Sequence, residues 1–393
     1  MYDFDRVIDR QGSGCFKYDG LNYFYPHTEL LPMWVADMDF AIAPQIIGAL
    51  QKRLEHPIFG YNLRLPAFYE AVSHWQKKRF DFEVKRSWQI CTPGVVSAIA
   101  ISILALSDPG DAILIQTPVY PPFYDVVKAH QRRLLTNTII DNGSSYQIDF
   151  EDLEAKLSQA KLFILCNPHN PLGKVWKEED LRQIGELCKK HGVIIISDEI
   201  HADLVYKPYQ HIPIASLSDF ADFTITCVSP SKSFNLAGLG TAVAIIANDK
   251  IRSAVSELNM NLHTYMGNSF GITALTAAYT EGEDWLEALL NYLQQNRDLL
   301  LSSIDHYLPG AHCYQIEGTY LAWLDLRSVS TDDNWLFDKV VNQAKVALDP
   351  GPRFGSEGSG FMRLNFGCPR NTLLQGLEQL SSAFHKIKDK ERT

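Results

Sequence analysis

Short apolar runs alternate with amphipathic stretches along the middle of the chain. Five of these runs are rich in β-branched or aliphatic residues and lie at 112–116, 162–166, 193–197, 223–228 and 241–247. Runs of this length and composition favour buried strands. Residues 178–192 start acidic, end basic and close on glycine, which predicts a helix with a complemented dipole. Strands that alternate with helices predict an α/β fold with a mostly parallel central sheet flanked by helices.

The pattern changes towards the end of the chain. A helical run is predicted at 259–278, and strands are predicted at 318–325 and 361–366 beyond a long helical connection. A chain of 393 residues also exceeds the usual size of a single core. The predicted division is an N-terminal segment 1–45 that joins the small domain, a large domain 46–282 and a smaller α+β domain 283–393. We expect the functional site to lie between the two domains.

The net charge and the cysteine content indicate which binding partners and which cellular compartment to expect. The formal net charge of -10 argues against nucleic acid or an anionic membrane as a partner. No apolar run approaches the roughly 20 residues of a membrane span, and no secretory signal is visible at the start of the chain. The seven cysteines are scattered and form no CxxC pair, which predicts reduced thiols and no metal site. The sequence therefore predicts a cytoplasmic protein.

Lys232 lies in a small-residue loop directly after the apolar run 223–228. An amine at the end of a buried strand is partly desolvated, which favours its neutral form and lets it form a Schiff base with an aldehyde. Most single lysines in loops are solvated instead. The interpretation of Lys232 therefore depends on the motifs that follow the neighbouring strands.

Three further motifs lie at predicted strand ends or helix starts. Asp198 follows one buried run, and Asn170 lies in a turn with two Asn-Pro steps after another. Val95 and Val96 begin an apolar helical stretch, where free backbone N–H groups would suit a phosphate. Taken singly, Asp198 is equally typical of a helix cap, the Asn-Pro steps are typical of a turn, and Val95 and Val96 are typical of an ordinary helix start. Because ligands of open α/β sheets bind at the carboxyl ends of the strands, we expect the motifs to meet.

Together these groups match the requirements of pyridoxal 5'-phosphate. Its aldehyde needs a lysine, and its pyridine nitrogen needs an anion. Its ring oxygen needs a hydrogen-bond donor, and its phosphate group needs the N–H groups of backbone amides. From about Pro32 to Arg370 the sequence resembles the class I/II aminotransferase family, fold type I of the pyridoxal-phosphate enzymes. Residues 32–40, 198–201 and 231–239 resemble the MalY/PatB group of cystathionine β-lyase-type C–S lyases.

The resemblance implies a role for each matching residue. The implied catalytic residues are Lys232 as Schiff-base lysine and general base, Asp198 as partner of the pyridinium nitrogen, and Tyr120 stacked on the ring. The implied cofactor contacts are Val95, Val96, Tyr120, Asn170, Asp198, His201, Ser229 and Lys232, with Tyr61 supplied by a neighbouring subunit. The implied substrate contacts are Arg363 for the α-carboxylate, Trp34, Ala36, Asp37 and Asn170, with Arg353 and Arg370 as weaker candidates. The Tyr61 assignment implies a homodimer with shared active sites.

Some of these assignments have open alternatives. Tyr120 is also compatible with a core tyrosine, and His201 with a structural histidine. Many aminotransferases carry an arginine eight residues after the lysine, where this chain has Gly240, so the charge of the phosphate is left partly unbalanced.

The predicted function is pyridoxal-phosphate-dependent β-elimination of S-substituted L-cysteines. The leading substrate is L-cystathionine, which would yield homocysteine, pyruvate and ammonia in methionine biosynthesis. The alternatives are an aminotransferase for aromatic or neutral amino acids and a lyase with a second, regulatory binding role.

Overall fold

The computed structural model describes residues 2–390, with side chains given as far as residue 385. The strands in chain order are β1 (Leu31–Pro32), β2 (Gln89–Thr92), β3 (Ala112–Thr117), β4 (Arg133–Thr138), β5 (Ile140–Asp141), β6 (Tyr146–Gln147), β7 (Leu162–Cys166), β8 (Ile194–Asp198), β9 (Thr224–Val228), β10 (Ala242–Ile246), β11 (Leu321–Asp325), β12 (Val346–Ala347), β13 (Asp349–Pro350) and β14 (Phe361–Asn365). The α-helices are α1 (Leu21–Phe24), α2 (Pro44–Glu55), α3 (Pro66–Phe80), α4 (Val95–Leu106), α5 (Pro122–Ala129), α6 (Phe150–Leu157), α7 (Glu178–His191), α8 (Pro230–Ser233), α9 (Asp249–Asn261), α10 (Ser269–Glu281), α11 (Glu283–Tyr307), α12 (Asp333–Phe337) and α13 (Arg370–Lys390).

A seven-stranded sheet in the order β2-β10-β9-β8-β7-β3-β4 forms the centre of the molecule. The pairs from β9 through β8, β7 and β3 to β4 are parallel, whereas β10 is antiparallel to both β9 and β2. All residues of β3, β7, β9 and β10 are buried. Residues of α4, α5 and α9 pack in one apolar cluster with the sheet, and residues of α6 and α7 pack in another. Because both faces are covered, the strands are continuous apolar runs, and the predicted α/β fold is confirmed.

The five predicted apolar runs correspond to β3, β7, β8, β9 and β10 to within one residue at each end. The helix predicted at 178–192 is α7, which Gly192 ends in the left-handed region at φ 68°. Among residues 2–390, no helix combines the length and the apolar character needed to cross a bilayer.

The single helical run predicted at 259–278 is wrong, because α9 ends at Asn261 and α10 begins at Ser269. His263 and Gly267 have φ values of 54° and 68°, which no continuing helix allows. The Asn268 side chain accepts a hydrogen bond from the Gly271 N–H and starts the second helix. Gly267 and the capping residue Asn268 are signals of a helix break in the sequence, but the apolar periodicity on either side of them favoured one continuous helix.

A second, three-stranded antiparallel sheet has the order β11-β14-β13. The segment before α2 joins this part of the molecule, since β1 pairs in parallel with β12 and Met33 and Trp34 share a core cluster with residues of α11 and α13. Gly282 separates α10 from α11. A Cβ atom at Gly282 would lie 2.5 Å from the Phe234 ring. The domain limits at 45 and 282 stay predictions, and the pairing of β1 with β12 supports the first of them.

Candidate active site

One cavity of about 210 Å³ lies at the carboxyl ends of β7, β8 and β9, beside the start of α4. Its lining residues are Ala36, Pro93, Gly94, Val95, Val96, Ser97, Tyr120, Cys166, Asn170, Asp198, Ile200, His201, Ser229, Ser231, Lys232, Ala237, Gly240 and Thr241. Parallel strands end on the same edge of a sheet, so residues far apart in sequence meet there. Eight of the predicted cofactor contacts therefore share one cavity with Ala36 of the N-terminal segment.

Lys232 lies in the one-turn helix α8 that follows β9. Its Nζ donates a hydrogen bond of 2.5 Å to the carbonyl of Ala36, which also accepts a hydrogen bond of 2.9 Å from the Tyr320 hydroxyl. Burial lowers the pKa of Lys232 to about 8. About a tenth of the amine is therefore neutral and nucleophilic at pH 7, far more than for an ordinary lysine.

The two acidic residues at the end of β8 lie in different environments. Asp198 lines the cavity and accepts a hydrogen bond of 3.1 Å from the Ile200 N–H, and burial raises the pKa of Asp198 to about 7. Glu199 is absent from the cavity lining and hydrogen-bonds with Ser197 and His211 instead. A cationic group beside Asp198 would lower its pKa and hold it as an anion.

The first turn of α4 offers backbone N–H groups to the cavity. A helix has no carbonyl partners for its first N–H groups, so Val95, Val96 and Ser97 are placed to bind an anion. Across the cavity, the Ser229 hydroxyl donates to the Thr241 carbonyl at 2.7 Å and accepts from the Ser231 N–H at 3.1 Å. The N–H groups of α4 therefore suit a phosphate group, whereas the Ser229 hydroxyl would have to turn its proton away from Thr241 to donate to one.

Arg363 lies on β14 and is 4% exposed. Its Nη1 donates to Asn170 Oδ1 at 3.0 Å, and its Nη2 donates to the Trp34 carbonyl at 2.9 Å and to the Asp349 carboxylate. Arg363 is not among the lining residues, but Asn170 connects it to the cavity. A substrate carboxylate would therefore have to share this guanidinium with Asp349.

Comparison with known proteins identifies the family. The family model described as aminotransferase class I and II matches residues 33–380. The chain belongs to this family. Cystathionine beta-lyase PatB of Bacillus subtilis is 42% identical over 97% of this chain and 99% of its own length. Protein MalY of Escherichia coli is 37% identical over 99% of this chain and its full length.

Solved structures agree with this assignment. The crystal structure of the PLP-bound C–S lyase from Staphylococcus hominis superposes with a TM-score of 0.91 at 34% identity and covers 98% of both chains. These findings confirm the predicted family, its fold and the similarity to the MalY/PatB group.

Pyridoxal 5'-phosphate fits the donors that this member of the family presents. Lys232 offers an amine, Asp198 a carboxyl group, and α4 an anion site. Arg363 occupies Oδ1 of Asn170, which leaves the amide N–H groups of that residue free to donate to a ring oxygen. Burial raises the pKa of Tyr120, so its ring stays neutral and is available for stacking.

His201 also lines the cavity, with its Nδ1 buried and without a hydrogen-bond partner among the described residues. Burial holds the pKa of His201 well below its usual range, so the imidazole is neutral. Its ring packs edge-on against Tyr320 at 6.1 Å. Both predicted interpretations of His201 therefore stay open.

Gly240 lines the cavity in the left-handed region at φ 49°. A Cβ atom there would lie 3.3 Å from the Pro93 carbonyl, so an arginine at this position would be strained. Among the described lining residues, only Lys232 and His201 carry side chains that can become cationic.

Several predicted site residues lie outside the lining. The Trp34 indole donates to the Lys17 carbonyl at 2.9 Å, and Asp37 pairs with Arg10 at 2.8 Å. Arg353 pairs with Asp349 at 2.6 Å. Arg370 donates to Gln295 on α11, far along the chain from the strand-end motifs. The Tyr61 side chain is 94% exposed and absent from the cavity of its own chain, so its role stays a prediction about a second subunit.

Sequence reasoning missed three hydroxyl residues that line the cavity, Ser97, Ser231 and Thr241. Ser97 and Ser231 lie within two residues of predicted contacts, so the first turn of α4 and the lysine loop carried a usable signal. Thr241 immediately precedes β10, and only the antiparallel pairing of β10 with β9 brings it opposite the Ser229 loop.

Proposed function

We propose that this protein cleaves L-cystathionine by β-elimination to homocysteine, pyruvate and ammonia, as an enzyme of methionine biosynthesis in the cytoplasm. It is a pyridoxal-phosphate-dependent carbon–sulfur lyase. The observation that carries the proposal is the presence of a buried amine, a buried carboxyl group and a helix N-terminus in one cavity, in a chain 42% identical to a cystathionine beta-lyase over nearly its whole length.

Lys232 would bind the cofactor aldehyde and would then take the substrate α-proton. Its lowered pKa of about 8 keeps the amine partly neutral for both tasks. The Ala36 carbonyl, to which Tyr320 also donates, holds the free Nζ at the cavity wall. When bound, pyridoxal phosphate supplies an electron sink for the negative charge that develops at the substrate Cα.

The other site residues are proposed to bind and orient the cofactor and the substrate. Asp198 would pair with the ring nitrogen, Asn170 would donate to the ring oxygen and Tyr120 would stack on the ring face. Val95 and Val96 would hold the phosphate through their N–H groups, and Ser229 would join them if its hydroxyl turned from the Thr241 carbonyl. Arg363 would bind the substrate α-carboxylate through the guanidinium that it shares with Asp349, since a guanidinium forms charge-assisted hydrogen bonds with carboxylates. Its contact with Asn170 would link substrate binding to the cofactor contact of the same asparagine.

The enzyme is proposed to act as a homodimer with shared active sites. Tyr61 belongs to a loop with further exposed apolar side chains, Ile58, Phe59, Leu63 and Leu65. Exposed apolar side chains in such a cluster are typical of a protein interface. In the dimer, Tyr61 of the partner subunit would donate to the phosphate. This contact would add a donor where Gly240 supplies no charge.

The reaction type is tested with purified holoenzyme and L-cystathionine. A lyase forms pyruvate and free thiol in equal amounts without any added 2-oxo acid, because the thiolate leaves from Cβ and water releases ammonia and pyruvate. Formation of a keto acid only after addition of an amino acceptor would contradict the lyase and favour the aminotransferase. L-Alanine with an amino acceptor is the control, since it has no leaving group at Cβ.

A further inference from the structure

The buried guanidinium of Arg363 has hydrogen bonds on two of its three nitrogen atoms. Its Nη2 donates to the Trp34 carbonyl at 2.9 Å and to the Asp349 carboxylate, and its Nη1 donates to Asn170 at 3.0 Å. The Nε atom is buried and has no hydrogen-bond partner among the described residues. A buried donor without an acceptor is costly, so an acceptor at Nε would be favourable.

The shape of a guanidinium decides how a further carboxylate could bind to it. A carboxylate binds in bidentate fashion to two parallel N–H groups on one edge of the planar group. Arg363 has two such edges, one formed by Nε and Nη2 and the other by Nη1 and Nη2. Both edges include Nη2, which already donates to two acceptors. Bidentate binding therefore requires one of these two acceptors to leave.

The Trp34 carbonyl is fixed by contacts of the backbone on both sides of it. The Asn365 N–H donates to the Met33 carbonyl at 2.9 Å, and the Asn365 side chain donates to the Val35 carbonyl at 2.6 Å. Turning the carbonyl of Trp34 away from Arg363 would disturb these hydrogen bonds and expose buried polar groups. The Trp34 carbonyl is therefore the acceptor that stays.

Asp349 has a second partner to which it can pass. It lies opposite Arg363 in the pair of β13 with β14, and its other carboxylate oxygen accepts a hydrogen bond of 2.6 Å from Arg353. The Arg353 side chain is exposed and can follow the carboxylate. Asn170 and the Phe354 ring, which lies 4.8 Å from the guanidinium carbon, hold Arg363 in place without Asp349. Asp349 is therefore the acceptor that can leave.

We propose that Asp349 competes with the substrate α-carboxylate for Arg363 and thereby sets the affinity for substrate. Asp349 occupies Nη2 when no substrate is bound and passes to Arg353 when a carboxylate binds. The incoming carboxylate takes the edge of Nε and Nη2, which also gives the buried Nε an acceptor. The inference rests on the proposed function, in which Arg363 binds the α-carboxylate.

The test measures the binding of methylthiopropionate, a thioether carboxylate without an α-amine, to the holoenzyme. Thermal unfolding at constant ionic strength and a fixed excess of pyridoxal phosphate gives the dissociation constant from the rise of Tm with ligand concentration. In Asp349→Asn, which keeps the shape of the side chain and removes its charge, the dissociation constant should fall roughly tenfold. A dissociation constant that is unchanged or higher would overturn the proposal, since a residue that only holds Arg363 in place would weaken binding when altered.

A second variant makes the test independent of the stability of Asp349→Asn. Arg353→Met removes the alternative partner of Asp349 at an exposed position, so the dissociation constant should rise about threefold. An unchanged or lower value would overturn the proposal even if Asp349→Asn does not fold. In the double variant Asp349→Asn/Arg353→Met the rise should vanish relative to Asp349→Asn. A rise of the same size would show that Arg353 acts without Asp349, which also contradicts the proposal.

Arg363→Ala separates this inference from the proposed function. Loss of methylthiopropionate binding in Arg363→Ala would place the ligand on this guanidinium, and the Asp349 variant then decides the competition alone. Parental binding in Arg363→Ala would refute the carboxylate site of the proposed function and the competition with it. The amide of methylthiopropionate is the ligand control and should give the same small Tm change in the parent and in all variants, because it carries no carboxylate.

Discussion

The proposed cofactor side and the proposed substrate side of the cavity come from different parts of the chain. The cofactor side contains Asp198, Lys232 and the start of α4, all in the large sheet region. In the part of the chain that the structure describes, neither Asp198 nor Lys232 lies within ion-pair distance of an opposite charge; their contacts are a backbone N–H and a carbonyl. Burial consequently raises the pKa of Asp198 and lowers the pKa of Lys232, which favours the neutral form of each group.

The proposed substrate side is flanked by paired charges of the N-terminal segment and of β13 and β14, outside the cavity lining. Asp39 lies 2.6 Å from Arg10 and 2.7 Å from Lys17, and Arg363 contacts Asp349. A buried charge that has such a partner stays ionised, although the pair is costly to break. The comparison teaches that one protein can bury ionisable groups in two ways. The ionisable groups of the cofactor side lack charged partners, so a charged ligand would complete them, whereas Arg363 already has a partner in Asp349, which a substrate carboxylate would have to share.

The largest expected effect is the loss of Lys232, which has no substitute on the cofactor side. Lys232→Ala should remove the visible absorbance of the bound cofactor and lower pyruvate formation by about a thousandfold or more, because both the covalent link and the general base are lost. Absorbance spectra and borohydride reduction measure the link. Lys174→Ala, which removes a buried lysine paired with Glu317 at 2.6 Å, is the control and should stay yellow. A borohydride-reducible link in Lys232→Ala would refute the assignment.

A pair of carboxylate variants tests the comparison itself in protein stripped of cofactor. Folded Asp198 keeps its proton up to about pH 7, whereas the unfolded chain releases it near the usual value of about 3.9. Folding therefore takes up a proton between these pH values, and this contribution to stability falls as pH rises. Asp198→Asn should raise the free energy of unfolding by up to about 4 kcal/mol at pH 8, and by less at pH 5.

Asp39→Asn is the matched variant on the substrate side, and its effect should have the opposite sign. It removes the carboxylate that lies 2.7 Å from the buried Lys17 Nζ and leaves that amine only Asp37, at 3.8 Å, so the free energy of unfolding should fall by up to about 3 kcal/mol. Denaturant unfolding at both pH values measures the two variants. If both variants destabilise the apoprotein at pH 8, the distinction between the two sides is wrong.

The smallest of these effects concerns substrate capture. Arg363→Ala should lower kcat/KM for L-cystathionine by roughly a hundredfold, mainly through KM, because a bidentate charged contact is lost. Arg353→Ala is the control, since Arg353 shares Asp349 but is 48% exposed at the side chain. Steady-state kinetics separate the two parameters. Equal losses in the two variants would remove Arg363 from its proposed role.

The proposed cofactor side could be predicted from the sequence further than the proposed substrate side could. Lys232, Asp198, Asn170 and Val95 each follow a strand or begin a helix that the apolar pattern locates, and parallel strands necessarily present their ends together. The family resemblance then assigned their roles. On the substrate side, Trp34 and Asp37 were predicted as contacts, but their side chains bind Lys17 and Arg10 outside the lining. Local patterning indicates which residues are buried and not which of them become partners.

The sequence by itself determined the strands of the central sheet, the lysine loop and the cofactor side of the site, because periodicity and strand-end position are local properties. Only the tertiary structure decided that Arg363 shares its guanidinium with Asp349 and Asn170, that α9 and α10 are separate helices, and that Glu199 and Asp198 face opposite ways. Each of these depends on contacts between residues far apart in the chain, or on a backbone conformation that side-chain hydrophobicity does not report.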